Sequence, residues 1–261
     1  MDNLRTYGRP PFSIAVIHGG PGAPGAMAPV ARELSSEAGV LEPLQTKASL
    51  EGQVQELRKV LKDHAALPLT LIGSSWGAML SFILTARYTE LVSRLILVGS
   101  GVYEDKYAAG IMPTRLDRLS EQHRIQALAI MQELEDPEAK DKNSLLARFG
   151  EVCTRADAYD PITLDTEVIA CDFEINIKVW SDAQKLRAKG GFLELGRQIK
   201  CPVVAIHGDY DPHPAQGVKE PLSSVLKDFK FIMLDHCGHL PWIERQARRA
   251  SFEILSQECS M

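Results

Sequence analysis

The sequence has few cysteines, and the five that it has follow no pattern. They lie at positions 153, 171, 201, 237 and 259, and no two are spaced as a CxxC pair. An odd and scattered set predicts neither a disulfide framework nor a zinc site, and it is typical of a reducing compartment. No set of histidines, cysteines and aspartates has the spacing of metal ligands, and no phosphate-binding glycine loop leads into a lysine. We therefore expect a protein without metal or cofactor.

A basic surface is also missing, because 29 lysines and arginines face 34 acidic residues, for a net charge of -5. Nucleic acids and anionic membranes attract proteins through positive charge. The N-terminus lacks the basic start and unbroken apolar core of a signal peptide. Residues 65–86 carry no charge, but Pro68, Gly73 and Gly77 favour a buried strand and helix over a membrane span. We expect a cytoplasmic protein that binds neither nucleic acid nor membrane, and the sequence predicts no oligomeric state.

Apolar runs and helical patterns alternate over the two ends of the chain. The runs end in loop signals and predict strands at 12–17, 40–44, 69–72, 95–98, 203–206 and 229–234. This alternation favours a mostly parallel, twisted sheet flanked by helices, an α/β fold. The middle of the chain has helical spacing and little strand signal, and a closing helix is predicted over about 242–255. We therefore predict a core domain of residues 1–102 and 198–261, with 103–197 as a helical insertion.

A Gly-x-Ser-x-Gly motif, Gly73-Ser74-Ser75-Trp76-Gly77, stands where the run at 69–72 meets a helical pattern. At such a turn the serine takes a strained conformation, and small residues two before and two after it let strand and helix pass closely. The strain exposes the hydroxyl, and the following helix N-terminus favours a developing negative charge. The motif alone arises by chance in about one such chain in ten, so Ser75 as a nucleophile needs further support.

Three other loops that follow predicted strands contain residues of matching chemistry. His18-Gly19-Gly20-Pro21-Gly22 follows the first strand, and the loops after the last two strands offer a carboxylate and an imidazole. Such loops emerge at one edge of a parallel sheet, so their side chains can meet Ser75. The carboxylate is that of Asp209 or Asp211. The imidazole is that of His236 or His239, and Gly238 suits the tightly turned loop that would present His239. His207 and His213 are interpreted as loop or packing residues and Cys237 as a buried, inert thiol.

Together these motifs resemble those of the α/β-hydrolase superfamily, and within it the proline iminopeptidase-like branch. The resemblance covers nearly the whole chain and rests on the two glycine motifs above, on Gly208-x-x-Asp211 and on Gly238-His239-x-Pro241. It implies that Ser75 attacks a carbonyl carbon, that His239 carries the proton and that Asp211 orients the imidazole. It also implies an oxyanion hole formed by the backbone N–H groups of Gly20 and Trp76.

The resemblance carries expectations about the fold as well. It implies the α/β-hydrolase fold, with residues 103–197 as the helical cap of that fold. Few residues precede Phe12, so we expect a truncated N-terminal hairpin and a sheet of about six strands.

The predicted function is a serine hydrolase that cleaves a small ester or amide through an acyl-enzyme. His18, Glu151 and Trp180 are the candidate substrate-binding residues, although His18 also fits a structural role below the oxyanion loop. The alternatives are an aminopeptidase of the proline iminopeptidase type, which acts on short peptides, a carbon–carbon bond hydrolase, and a ligand-binding protein with an idle triad. An aminopeptidase needs a cap carboxylate for the substrate's ammonium group, and the candidates are Glu151, Asp157, Asp172 and Glu174. The Trp-x-x-Trp-Glu pattern of those peptidases is absent, and Phe149-Gly150-Glu151 is its nearest counterpart.

Overall fold

The computed structural model describes residues 3–162 and 169–260. These residues contain seven β-strands and ten α-helices. The strands are β1 (Leu4–Tyr7), β2 (Phe12–Ile17), β3 (Gly39–Pro43), β4 (Leu69–Ser74), β5 (Val92–Val98), β6 (Val203–Gly208) and β7 (Phe229–Leu234). The helices are α1 (Ala28–Leu34), α2 (Leu50–His64), α3 (Trp76–Arg87), α4 (Ile111–Arg118), α5 (Glu121–Glu135), α6 (Lys142–Asp157), α7 (Phe173–Ala188), α8 (Gly191–Gly196), α9 (Gln216–Val225) and α10 (Arg248–Ser260).

The strands form one sheet in the order β1-β3-β2-β4-β5-β6-β7, and every neighbouring pair except β1 and β3 is parallel. The α/β fold predicted from the alternation is therefore confirmed. The expected count of about six strands is one too low, because Leu4–Tyr7 pairs with the outer side of β3. This four-residue strand is mostly half-buried, and Gly8 and Pro10 follow it closely, so its sequence has no strand pattern of its own.

Both faces of the sheet are buried. In β4 and β5, Leu71 and Leu97 belong to the apolar cluster with α2 and α3, whereas Ile72 and Ile96 belong to the opposite cluster with α1 and α10. Adjacent residues of a strand point to opposite faces, which is why these strands are apolar throughout. Helix α3 is buried at every residue from 76 to 86, as the uncharged stretch predicts. Among the described residues, no helix combines the length and apolarity that a membrane crossing requires.

The described part of the chain between β5 and β6 is helical. It contains α4 to α8, and its described residues include no strand beyond an isolated bridge between Pro161 and Glu244. The insertion has a small apolar cluster of its own around Leu119 and Val152. It also reaches the main core, because Val179 of α7 is fully buried in the cluster that contains α3.

Two helices near the C-terminus differ from the expectations. The closing helix begins at Arg248 rather than near Trp242, because Pro241–Ile243 form a short 3-10 turn and Glu244 is extended. Helix α9 has no counterpart among the predicted helices. Pro221 lies inside it and obscures the helical pattern, although a parallel crossover from β6 to β7 requires a connection of this kind.

The fully buried carboxylate of Glu244 joins the loop after β7 to the end of α6. Its Oε1 accepts hydrogen bonds from the backbone N–H groups of Gly238, at 2.9 Å, and Tyr159, at 2.8 Å. Its Oε2 accepts from the N–H of Asp160, at 2.8 Å. Three backbone donors of two separate segments therefore depend on one side chain.

We expect Glu244→Gln to lower the free energy of unfolding by about 1–3 kcal/mol, because the amide NH2 would face a backbone N–H and leave it unpaired. Urea denaturation measures this difference. Glu253→Gln is the matched control, since that carboxylate is exposed and pairs with the exposed Arg249, and its unfolding midpoint should not change. An unchanged midpoint for Glu244→Gln would contradict the role assigned to this carboxylate.

Candidate active site

Ser75 stands at the turn between β4 and α3 in a conformation that side chains rarely adopt, with φ 52° and ψ -117°. A Cβ atom on Gly73 would lie 2.2 Å from the carbonyl oxygen of Gly77. A Cβ atom on Gly77 would lie 2.2 Å from the carbonyl oxygen of Ile17. These distances agree with the steric reason for which the motif requires glycine two residues before and after the serine. The strained turn therefore depends on close packing of three backbone segments.

The glycine loop after β2 passes directly over Ser75. A Cβ atom on Gly19 would lie 2.9 Å from the Cβ of Ser75, so this position admits no side chain. Gly20 has a φ of 61°, a left-handed conformation that glycine adopts without strain. Trp76, the residue after Ser75, is the first residue of α3 and is fully buried. Gly20 and Trp76 thus both lie beside the segment that presents Ser75.

Asp211 and His239 are in direct contact, although 28 positions separate them. Nδ1 of His239 lies 2.8 Å from Oδ2 of Asp211, and the Asp211 carboxylate is fully buried. The His239 loop packs on the end of β5, since a Cβ atom on Gly99 would lie 2.3 Å from the His239 carbonyl oxygen. The N–H of Ser75 donates to the carbonyl of Val98, at 3.0 Å, on the same strand end. All three predicted residues therefore lie at one edge of the sheet.

The pKa values of Asp211 and His239 are shifted in the directions that a general base requires. Burial by itself would raise the pKa of Asp211, but the three surrounding histidines hold it well below its usual value. Burial would lower the pKa of His239, but the charge and hydrogen bond of Asp211 outweigh it, and the pKa lies above 6.5. The pair therefore contains a carboxylate at neutral pH and an imidazole that accepts a proton readily.

Two histidines interpreted from the sequence as loop or packing residues also contact Asp211. Nδ1 of His213 lies 2.8 Å from Oδ1 of Asp211, and Nε2 of His207 lies 3.6 Å from its Oδ2. That interpretation was incomplete, because both residues surround the buried carboxylate. The spacing His207-x-x-x-Asp211-x-His213 is the only sequence signal for this arrangement.

Asp211, His213 and His239 also bring three possible metal-ligand atoms within 4.8 Å of one another. The sequence spacing did not indicate such a group. Each imidazole Nδ1, however, lies 2.8 Å from its own carboxylate oxygen, which is the distance of a charge-assisted hydrogen bond. A metal would have to displace both protons, so we interpret the group as a hydrogen-bond network.

The two residues kept as alternatives lie outside this network. Oδ1 of Asp209 accepts from the N–H of Cys237, at 3.0 Å, and Asp209 is exposed. His236 is exposed, with its ring 5.1 Å from that of Tyr159. Cys237 is fully buried, and burial raises the pKa of its thiol, as expected of an inert cysteine.

The candidate substrate-binding residues occupy three different environments. His18 is fully buried, where its Nδ1–H donates to Gly19 O at 2.9 Å and its Nε2 accepts from the N–H of Gln45 at 3.3 Å. Burial lowers its pKa to about 4, so it is a neutral structural residue below the loop. Trp180 of α7 is half-buried, and its ring lies 5.6 Å from that of Trp76. Glu151 is exposed on α6, on the side of that helix opposite its buried residues.

The other candidate cap carboxylates already have partners. Arg115 donates two hydrogen bonds to the buried Asp157, at 2.7 and 2.6 Å. Asp172 accepts from the N–H of Ile175, at 3.0 Å, and so caps α7. Glu174 is exposed and pairs with Lys178. None of the four candidate cap carboxylates is therefore both buried and unpaired.

The insertion is hydrogen-bonded to the glycine loop. The side chain of Asn176 donates to the carbonyl of Pro21, at 2.9 Å, and the N–H of Asp172 donates to the carbonyl of Gly22, at 2.7 Å. A Cβ atom on Gly22 would lie 2.3 Å from the Asp172 carbonyl oxygen. The start of α7 therefore holds the loop that contains Gly20.

Comparison with known proteins agrees with the fold. Among solved structures, VinJ superposes with a TM-score of 0.67 at 15% identity, over 98% of this chain and 94% of VinJ. E-2-(acetamidomethylene)succinate hydrolase gives a TM-score of 0.66 at 14% identity, over 99% of this chain and 94% of that chain. The thioesterase domain from the curacin biosynthetic pathway gives 0.63 at 19% identity, over 97% and 94%. A comparison with curated protein sequences finds no match.

At these identities the structures support the fold alone. The profile of a protein family described as alpha/beta hydrolase fold matches residues 42–246, which is most of the sequence. The matched range begins within β3 and ends just before α10, and it includes Ser75, Asp211 and His239. The chain therefore belongs to the alpha/beta hydrolase family.

Proposed function

We propose that the protein is a serine hydrolase that cleaves a small ester or amide through an acyl-enzyme. The observation that carries the proposal is the 2.8 Å contact between buried Asp211 and His239, at the sheet edge where the strained turn presents Ser75. A buried carboxylate that orients an imidazole beside a serine is the arrangement that activates a hydroxyl nucleophile. The reaction needs no metal or cofactor.

In the first step, Oγ of Ser75 attacks the carbonyl carbon while Nε2 of His239 takes its proton. Asp211 keeps the proton on Nδ1 and stabilises the imidazolium that forms. The N–H groups of Gly20 and Trp76 donate hydrogen bonds to the oxyanion. Each such donor contributes a factor of about 10² to 10³ to turnover. Collapse of the intermediate breaks the bond to the leaving group, which takes the proton from His239. Water then attacks the acyl-enzyme by the same steps and restores Ser75.

The helical insertion at 103–197 is the proposed cap over this site. Trp180 packs beside Trp76 and is the residue through which the cap is proposed to make an apolar contact with the substrate. The peptidase alternative requires a carboxylate free to bind a substrate ammonium group, whereas Asp157 is committed to Arg115 and Glu151 is exposed. An ester or amide without a charged amine fits these cap residues better than a peptide with a free N-terminus.

Ser75→Ala should abolish labelling by a fluorophosphonate probe and lower ester turnover by about 10⁴ to 10⁶, because the attacking oxygen is lost. In-gel fluorescence and initial rates measure both effects. Ser74→Ala is the matched control: it removes the adjacent hydroxyl, which is buried and has no hydrogen-bond partner among the described residues, and labelling should persist. Labelling that survives Ser75→Ala would contradict the assignment of the nucleophile.

A panel of p-nitrophenyl acyl esters beside prolyl and alanyl anilides tests the substrate class. We expect cleavage of the esters and no cleavage of the anilides, because the cap offers no unpaired buried carboxylate among the four candidates. Release of aniline from either anilide would instead favour the aminopeptidase. Probe labelling of Ser75 without turnover on either set would favour carbon–carbon bond hydrolysis, and the absence of both would favour ligand binding.

The activity should fall on the acidic side with a midpoint above pH 6.5. His239 must be neutral to accept the proton, and Asp211 holds its pKa above 6.5, so protonation as pH falls removes the base. Asp211→Asn should move this midpoint downward and lower turnover by about 10⁴. The pH dependence of kcat/KM measures both, with circular dichroism to verify folding. A midpoint that stays in place in Asp211→Asn would argue that another group controls it.

A further inference from the structure

His213 is a residue outside the proposed triad, with 12% of its side chain exposed, that contacts both titratable members of the triad. Its Nδ1 lies 2.8 Å from Oδ1 of Asp211, and its backbone N–H donates to the same oxygen at 2.9 Å. Its ring stacks on that of His239, with centroids 4.5 Å apart and planes 25° apart. His213 therefore touches the carboxylate and the imidazole on which the proposed mechanism depends.

The two carboxylate oxygens of Asp211 accept hydrogen bonds from different histidines. Oδ2 accepts from Nδ1 of His239, and Oδ1 accepts from Nδ1 of His213. An ionised carboxylate only accepts hydrogen bonds, so both Nδ1 atoms must carry a proton. The geometry thus sets the tautomer of His213 as well as that of His239, and rotation of the carboxylate would break both hydrogen bonds.

His213 is itself held in place from β6. Nε2 of His207 donates to the backbone carbonyl of His213, at 2.8 Å. His207 is fully buried, and its Nδ1 has no hydrogen-bond partner among the described residues. The contact between His207 and His213 therefore fixes the backbone that aims the His213 ring at Asp211.

The charges around His213 favour its neutral form. Burial lowers the pKa of His213 against the raising effect of Asp211, and the proximity of His239 and Arg115 lowers it further. Two cationic imidazoles stacked at 4.5 Å would repel each other, so the two rings can carry at most one extra proton between them, and His239 is the ring that accepts it. The titratable and charged groups that face the stacked rings are Asp211, His207, Arg115 and Asp157.

We propose that His213 is a positioning residue, whose Nδ1–H holds Oδ1 of Asp211 so that Oδ2 stays aimed at His239. The proposal rests on the function proposed above. Without this donor, the one remaining hydrogen bond to Oδ1 among the described residues is that of the His213 backbone N–H. The carboxylate then gains freedom to rotate, and its contact with His239 weakens. The base would then lose part of the stabilisation of its protonated form, and its pKa would move toward 6.5.

Three substitutions separate the donor from the ring. His213→Ala removes both, His213→Phe keeps a stacked ring without a donor, and His213→Asn keeps a donor near the position of Nδ1 without the ring. We expect Ala and Phe to lower kcat on the preferred p-nitrophenyl ester by about 10- to 100-fold with little change in KM. The acidic midpoint of kcat/KM should fall by about half a pH unit in both. Asn should restore the midpoint and most of kcat.

A purely structural role would give a different result. If Ala, Phe and Asn lower stability in urea and kcat alike while the acidic midpoint stays at or above the wild-type value, the proposal is overturned. It is also overturned if Phe behaves as wild type and Asn does not, because the ring rather than the donor would then matter.

A second measurement does not depend on turnover. The pKa of the His239 imidazole can be followed by NMR in Ser75→Ala and in Ser75→Ala with His213→Ala. A lower pKa in the double variant supports the positioning role, and an equal or higher one contradicts it. Failure of the proposed function is seen separately, as absence of probe labelling in the wild-type protein, and leaves this titration readable.

Discussion

The backbones of β2, β4 and α3 approach so closely around Ser75 that glycine is the only residue that fits at two positions. Side-chain carbons at Gly73 and Gly77 would each lie 2.2 Å from a backbone oxygen. The positive φ of Ser75 costs on the order of 1–3 kcal/mol, and such strain persists only where the surrounding structure holds it. Here the surroundings are the centre of the sheet and the fully buried helix α3. The position of the serine is therefore a property of the core, not of a flexible loop.

The electrostatics of the site depend in turn on one buried carboxylate. An isolated charge inside a protein is costly, and Asp211 is stabilised there by imidazoles on two sides and by a backbone N–H. Because the two stacked histidines cannot both become cationic at low cost, the network has one favoured place for a proton. Burial lowers the pKa of both rings and Asp211 raises the pKa of both. The proximity of His239 and Arg115 leaves the pKa of His213 lowered, whereas Asp157 adds to the raised pKa of His239.

The helical insertion is hydrogen-bonded to two of the loops at the site, the glycine loop and the loop that contains His239. Asn176 and Asp172 hold the glycine loop, while the carbonyl of Asp157 accepts the N–H of His239 at 2.9 Å. Glu244 adds three backbone hydrogen bonds between the His239 loop and the end of α6. The insertion and the sheet edge therefore form one connected structure, in which the position of His239 depends on residues beyond its own loop.

The sequence by itself determined the alternation of strands and helices, the sheet edge and the turn at Ser75. These features have local causes. Apolar periodicity indicates which face of an element is buried, and the paired glycines indicate a close approach of two backbones. The same local patterns could not reveal β1, which is short and half-buried and becomes a strand only by pairing with β3. Helix α9 was obscured by Pro221.

Only the tertiary structure decided which side chains meet. It placed Glu151 in solvent, paired Asp157 with Arg115 and turned His213 from an expected packing residue into a partner of Asp211. It also gave Glu244 three donors from segments about 85 and 6 positions away. The partners of a polar side chain are set by contacts between distant segments, and such contacts leave no periodic pattern in the sequence around any one of the residues.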